Sequence, residues 1–234
     1  IMSSKQKDND PERKIVVIGG NGHVGRAVVD GLKQFAKRFN KNLEIVIGGR
    51  SKDKVDVVVD IASSESITAM FEHEKCKGLT DVVCCAGKGV YGALDDEKIN
   101  REALMAAFNS KVFGQMDLVM KSQKYLKDDD NSVTLISGYT AVNAFKSFWG
   151  SSAQNAGLNA FVKATPIELK QNIRCNVVCP GLLKASEEKY ASCFYGFKAI
   201  EDDSDVANAY IRSIFGGIRG QVLYVDNPAN PKNI

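Results

Sequence analysis

Histidine is scarce in this sequence: the two in 234 residues, His23 and His73, lie too far apart to assemble a His-based metal site. No zinc-type spacing occurs. Asp128-Asp129-Asp130 lacks the alternating oxygen-ligand spacing of a calcium loop and reads as a solvated acidic turn. No metal is expected. The six cysteines show no disulfide cadence, and no signal-peptide-like apolar region stands near the start, so reduced thiols in a cytoplasmic setting are expected. No apolar run approaches the ~20 residues of a membrane helix. Neither sign of charge dominates: 31 Lys and Arg face 28 Asp and Glu, a scattered net charge of +3 that argues against nucleic-acid or membrane binding. Internal repeats, low-complexity tracts and linkers are absent too, which leaves one domain as the simplest organisation.

What is present is a globular composition, 44% hydrophobic and 25% charged. Residues 1–13 are polar and charged and read as a loose tail ahead of a domain spanning 14–234. Lys14–Ile18 is a β-branched run of the kind buried on both faces of a sheet, followed by a glycine turn and a helical pattern over Val24–Phe39. The alternation continues. Strands are expected at Leu43–Ile47, Val55–Val59, Asp81–Cys85, Ser132–Ile136, Arg174–Val178 and Val222–Val225. Helices are expected at Ser64–His73, Asp96–Lys124 (one long or broken helix), Ser151–Glu168 and Asp203–Phe215. Strands alternating with helices build βαβ units, hence a mostly parallel sheet with helices on both faces.

The turn after the first strand reads Gly19-Gly20-Asn21-Gly22-His23-Val24-Gly25. Gly19 allows the tight turn, Gly22 lets the backbone approach a pyrophosphate, and Gly25 lets helix and strand pack closely. The N–H groups opening the helix would receive phosphate charge. An ordinary strand-to-helix turn is the alternative, but the position after a buried strand favours a dinucleotide. His23 either approaches that phosphate or simply fills a turn position. The second strand ends in Gly48-Gly49-Arg50-Ser51, where an acid would hold the ribose 2′-hydroxyl of NAD and an Arg the 2′-phosphate of NADP. A guanidinium matches phosphate bidentately, so NADP(H) is the expected cofactor.

These residues resemble the short-chain dehydrogenase/reductase family from Lys14 to Asp226. Gly19–Gly25 is similar to its cofactor loop, Asp60-Ile61 to its acidic-plus-apolar pair at the adenine, and Cys84-Cys85-Ala86-Gly87 to its Asn-Asn-Ala-Gly turn. Ser137 stands where the family keeps a catalytic Ser. Asn176–Gly181 resembles its Asn-x-x-x-Pro-Gly stretch, with Pro180 and Gly181 on the nicotinamide side, and Leu223–Asp226 resembles its last strand. The resemblance implies an α/β fold, a single Rossmann-like doubly wound parallel sheet with helices on both faces. It implies cofactor contacts from Asn21, Val24, Ser51, Ala86 and Gly87 besides the residues above. The catalytic Tyr-x-x-x-Lys is missing: the alignment places Ser151 and Asn155 at those positions, and Lys111 where the family has Asn, with Gly114 as the following Gly. The same three exchanges mark an atypical short subgroup of the family.

Three functions are open at this stage. In the first, an NADPH-dependent reductase acts on a carbonyl or imine: Ser137 hydrogen-bonds it, Lys111 takes over ribose binding with Asn155 and delivers a proton, and Tyr139 is the nearest phenol. The alternative for Lys111 is a solvated helix lysine. In the second, the cofactor serves a non-redox isomerase, cyclase or lyase. In the third, a pseudoenzyme senses the dinucleotide. The stretch Leu182–Asp203, with Lys184, Tyr190, Phe194, Tyr195 and Phe197, corresponds to the family's substrate loop. Its aromatics suit a small apolar or aromatic substrate, or else serve packing. The resemblance also implies a homodimer or homotetramer through Asp96–Lys124 and Ser151–Glu168, the latter carrying Ala153, Ala156, Gly157 and Ala160. The thiols at Cys84, Cys85, Cys175 and Cys179 are expected to be buried and inert. His73, between two glutamates, belongs on a solvated face. Only nine residues separate Arg50 from Asp60, so a direct turn must replace the usual helix between the second and third strands.

Overall fold

The computed structural model describes residues 11–126 and 130–231. Of the expected tail, residues 1–10 lie outside the described residues, as do Asp128 and Asp129 of the acidic turn; Arg13 already opens the first strand. Strands β1 (Arg13–Ile18), β2 (Leu43–Gly49), β3 (Val57–Val58), β4 (Asp81–Cys84), β5 (Asn131–Ile136), β6 (Ile173–Pro180) and β7 (Val222–Val225) form one sheet. All pairs are parallel, in the order β3-β2-β1-β4-β5-β6-β7. Parallel neighbours need crossovers, and helices supply most of them: α1 (His23–Phe39), α2 (Ser64–Glu72), α3 (Arg101–Phe108) running into α4 (Gly114–Tyr125), α5 (Trp149–Glu168), the short α6 (Glu187–Tyr190) and α7 (Asp203–Phe215).

The β-branched runs put a core on each face. Val16, Ile18, Val82, Val133 and Val177 point toward Leu118, Leu158 and Val162 of α4 and α5, while Val17, Val83 and Val178 point toward Val28, Leu32, Tyr210 and Ile214 of α1 and α7. Successive strand residues alternate between faces, so both must be apolar. Gly31 permits the tight α1–α7 crossing, because a Cβ there would meet the Ala207 Cβ at 2.8 Å. At the lower edge, Asp81 is fully buried against Arg13, Ser132 and Thr80, and Asp130 pairs with Arg13 and Arg174.

Two expectations change here. The β2–β3 connection is the expected turn, a short 3₁₀ segment Lys52–Lys54, but β3 keeps only Val57–Val58 of the expected Val55–Val59, paired with Gly48 and Gly49. The chain there is shorter than the roughly dozen residues a full parallel crossover requires. The long helix starts at Arg101 rather than Asp96, because the Asn100 side chain accepts the Ala103 N–H at 2.9 Å while Asp96–Ile99 folds as a turn. It is then interrupted by one π-helical segment, Asn109–Phe113.

Candidate active site

The strand ends on the carboxyl side of the sheet carry two adjoining hollows. The first, of about 590 Å³, is lined by Gly19, Asn21 and Gly22 of the glycine turn, Arg50 and Ser51 beyond β2, Asp60 and Ile61 beyond β3, and Ala86 and Gly87 beyond β4. Gly19 sits at φ +79°, the left-handed region. A Cβ on Gly25 would lie 2.0 Å from the Gly19 carbonyl oxygen, so only glycine lets α1 close against the turn. Gly22 offers no side-chain cap and the first turn of α1 has no acid, which leaves its N–H groups open to an anion. The exposed Arg50 guanidinium has no ion pair among the described residues. Asp60 is held by its own turn: its Oδ1 accepts the Ala62 N–H at 3.0 Å and its N–H donates to Ser66 Oγ at 2.9 Å.

His23 departs from the set. Its Nε2 lies 2.7 Å from Asp203 Oδ2 at the start of α7, and it lines neither hollow. Gly25 also lies outside both linings, acting through packing alone.

The second hollow, about 230 Å³, brings together Val24, Lys111, Ser137, Tyr139, Asn155, Pro180 and Gly181, closed from above by Phe148, Tyr190 and Phe194. Lys111 is nine-tenths buried. Its stem runs against Gly87, where a Cβ would come within 2.6 Å of the Lys111 Cδ, and its Nζ donates to the Ser137 carbonyl at 3.2 Å. The solvated alternative for Lys111 is therefore excluded. Burial pulls its pKa down to about 8; the nearby Cys84 and Cys179 thiols oppose that shift. Among the described residues, no carboxylate lines this hollow. Burial in turn pushes Cys84 up to about 11 and also raises Cys179.

Two further atoms in the same hollow are left wholly or largely without partners. Asn155 Oδ1 is buried without a hydrogen bond, although Asn155 Nδ2 donates to Thr140 Oγ1 at 2.9 Å, and Ser137 Oγ meets only the Cys179 thiol, a weak partner. Buried polar groups are nearly always satisfied, so such orphans mark a place where a ligand completes the set. An ammonium, a hydroxyl and an amide oxygen thus converge on one small space. Ser151 lines the same hollow, but its hydroxyl is spent on the Val90 carbonyl at 2.5 Å. Tyr139 reaches the hollow's wall, but its ring packs on Phe197 and Tyr224 and its hydroxyl meets Asn143 and Asp226, away from Lys111.

Of the loop aromatics, Phe194 stacks on Phe145 at 4.0 Å and Phe197 on its edge, while Tyr195 is 77% exposed. Packing and lining are therefore shared among them. Gln154 escapes a pattern reading: it is fully buried and holds the Lys88–Val90 backbone by accepting the Val90 N–H and donating to the Lys88 carbonyl, both at 3.2 Å.

A parallel sheet in this order, with a glycine turn after its first strand and a cleft across its carboxyl ends, is a dinucleotide-binding α/β fold. Residues 32–227 match the family model described as enoyl-(acyl carrier protein) reductase. The chain belongs to the short-chain dehydrogenase/reductase family, whose cofactor is a nicotinamide dinucleotide. Among solved structures it is similar to the protein lin1944 from Listeria innocua, at 30% identity and a TM-score of 0.79 over 91% of this chain and 99% of that one. A small-chain dehydrogenase in complex with NADPH aligns at 24% identity and a TM-score of 0.74 over 93% and 98%. The aldohexose dehydrogenase of Thermoplasma acidophilum aligns at 19% identity and 0.76 over 94% of each chain. No curated protein matches the chain. Among the described residues, no helix is long and apolar enough to cross a membrane.

Proposed function

We propose that the protein is an atypical NADP(H)-dependent reductase that acts on the carbonyl or imine of a small apolar or aromatic substrate. The observation that carries this reading is the uncompensated ammonium of Lys111 facing the Ser137 hydroxyl, whose one neighbour is the Cys179 thiol, and the unpartnered Asn155 amide oxygen. Ser151 and Asn155 take the positions of the family's Tyr and Lys, and Lys111 supplies the cation from the opposite wall. NADPH, when bound, supplies a hydride to the substrate carbon. Ser137 Oγ–H holds the substrate oxygen or nitrogen, and Lys111 Nζ gives it a proton as charge builds there. Asn155 Oδ1 accepts a ribose hydroxyl. Phe148, Tyr190 and Phe194 keep water out and restrict the substrate to small apolar groups. The six free thiols fit the cytoplasmic setting.

Arg50 receives the 2′-phosphate. Arg50→Asp is expected to weaken NADPH binding by about a hundredfold while leaving NADH within about threefold, the loss of a charge-assisted bidentate contact. Fluorescence titration with both cofactors measures it. Net consumption of NADPH absorbance over a panel of small ketones, quinones and imines tests the reaction. Tight binding without consumption of any of them would point to a sensor.

The subunits associate through α4 and α5. Phe113, at the end of the π-helical segment, and Met120 of α4 are 57% and 61% exposed, and Ala156, Gly157 and Ala160 are exposed on α5, so large side chains of one copy meet a smooth surface of its partner. Sedimentation is expected to give a dimer or tetramer, and Phe113→Glu a monomer; a monomeric wild-type chain would overturn this.

A further inference from the structure

The two walls that carry the proposed proton donor and its partner hydroxyl are joined by one side chain. Gln115, fully buried, donates from Nε2 to the Lys111 carbonyl at 2.8 Å and to the Ile136 carbonyl at 3.0 Å, and its Oε1 accepts the Ile136 N–H at 2.8 Å. Ile136 needs such a partner. The β4–β5 ladder ends at Val83 and Thr134, so beyond it the backbone groups of Ile136 on the β4 side have no strand to pair with. Gln115 substitutes for that strand. Its other bond holds the π-helical segment Asn109–Phe113, the irregular turn that carries Lys111 inward. The next residue after Ile136 is Ser137, whose carbonyl receives the Lys111 ammonium.

We infer that Gln115 is a positioning residue, whose carboxamide fixes the backbone of Lys111 to the end of β5 so that the Lys111 ammonium and the Ser137 hydroxyl address one substrate atom. This rests on the reading of Lys111 as proton donor. The role is geometric: Gln115 carries no charge, and its three bonds are spent on backbone groups. The titratable groups facing Lys111 are the Cys84 thiol from β4 and the Cys179 thiol from β6, which Gln115 leaves unchanged.

The test replaces Gln115 by methionine, close in shape but without hydrogen bonds, and by glutamate, which keeps the acceptor for the Ile136 N–H. Lys111 is titrated by NMR on lysine labelled at Cε, its signal assigned by its absence from Lys111→Met. Folding is read by far-UV circular dichroism and by binding of 2′,5′-ADP, which reports on the adenine half alone. In the folded methionine variant, which adds no charge, the Lys111 titration is expected to move up by about one pH unit, toward ordinary lysine, as the ammonium leaves its seat. With substrate, kcat is expected to fall about tenfold or more while KM changes little. An unmoved Lys111 titration in the folded methionine variant overturns the inference, as does a kcat within about twofold of wild type. The titration is read without substrate, so it stands apart from the reductase reading. Full turnover by Lys111→Met would instead refute that reading alone.

Discussion

Replacing Lys111 by methionine is expected to make the protein more stable and nearly inactive. Lys111 titrates at about 8 in the folded chain, below its ordinary 10.5, because burial disfavours the ammonium. Below pH 8 both folded and unfolded chains carry the charge, and the folded state bears its full desolvation cost. Between about 8 and 10.5 the unfolded chain holds the proton more tightly, so wild-type stability rises with pH across that window. Methionine removes a cost of roughly 3 kcal/mol at neutral pH, since each tenfold loss of proton affinity on folding corresponds to about 1.4 kcal/mol. For a chain of this size Tm should rise by about 5 °C or more at pH 6.5, and the advantage should shrink toward pH 10. Thermal unfolding of both proteins at pH 6.5, 8 and 10 measures this. Turnover should drop by about 10²–10⁴-fold with loss of the proposed general acid. In the wild type, kcat/KM for reduction should decline above pH 8, where Lys111 has lost its proton. A destabilised variant at neutral pH would mean that another group balances the buried ammonium.

The same residue shows where the sequence stops informing. The strands were readable because β-branched runs such as Lys14–Ile18 need no tertiary knowledge, and α7 falls on its expected bounds because Asp202 accepts the Ser204 N–H as a cap. The acidic stretch at Asp95–Glu97 imitates a helix start, yet the working cap is Asn100, whose choice depends on how the preceding turn folds. The π segment keeps an ordinary helical spelling, Asn109-Ser110-Lys111-Val112-Phe113, and is imposed by contacts made far away in sequence. A lysine at that point reads equally well as solvated. Its burial needs the approach of Gly87 and Ser137 from two other strands. The placement of the glycine turn after β1 and of Arg50 beyond β2 was legible because it depends on local backbone freedom and on position at a strand end. By contrast, Gln115 and Gln154 act on backbone groups 21 and 64–66 residues distant, a relation no periodicity records.

Gly114→Ala is expected to damage both hollows at once. The Cβ it adds would lie 2.0 Å from the Ile61 carbonyl oxygen and 2.8 Å from its carbon, and backbone of this kind cannot swing aside as a side chain would. Either α4 must lift or the segment after β3 must retreat. Lifting α4 pulls on Asn109, whose Nδ2 donates to the Ala62 carbonyl at 2.8 Å, and on Lys111 three residues before Gly114. Retreat moves Asp60 and Ile61 out of the wall they share with Arg50. Overpacking of this severity costs about 3 kcal/mol, so Tm should fall by roughly 6 °C or more. NADPH affinity should fall by about tenfold or more, and 2′,5′-ADP affinity with it, since the adenine wall is displaced. Gly157→Ala is the matched control: no atom of its own chain lies within 4 Å of the added methyl, a methyl keeps the smooth surface that Ala156 and Ala160 already form, and the higher helix propensity of alanine should leave Tm unchanged or slightly raised. Equal responses of the two variants would mean that glycine acts at 114 only through propensity. A selective loss at 114 ties the position of α4, and with it Lys111, to the closeness of one glycine to one carbonyl.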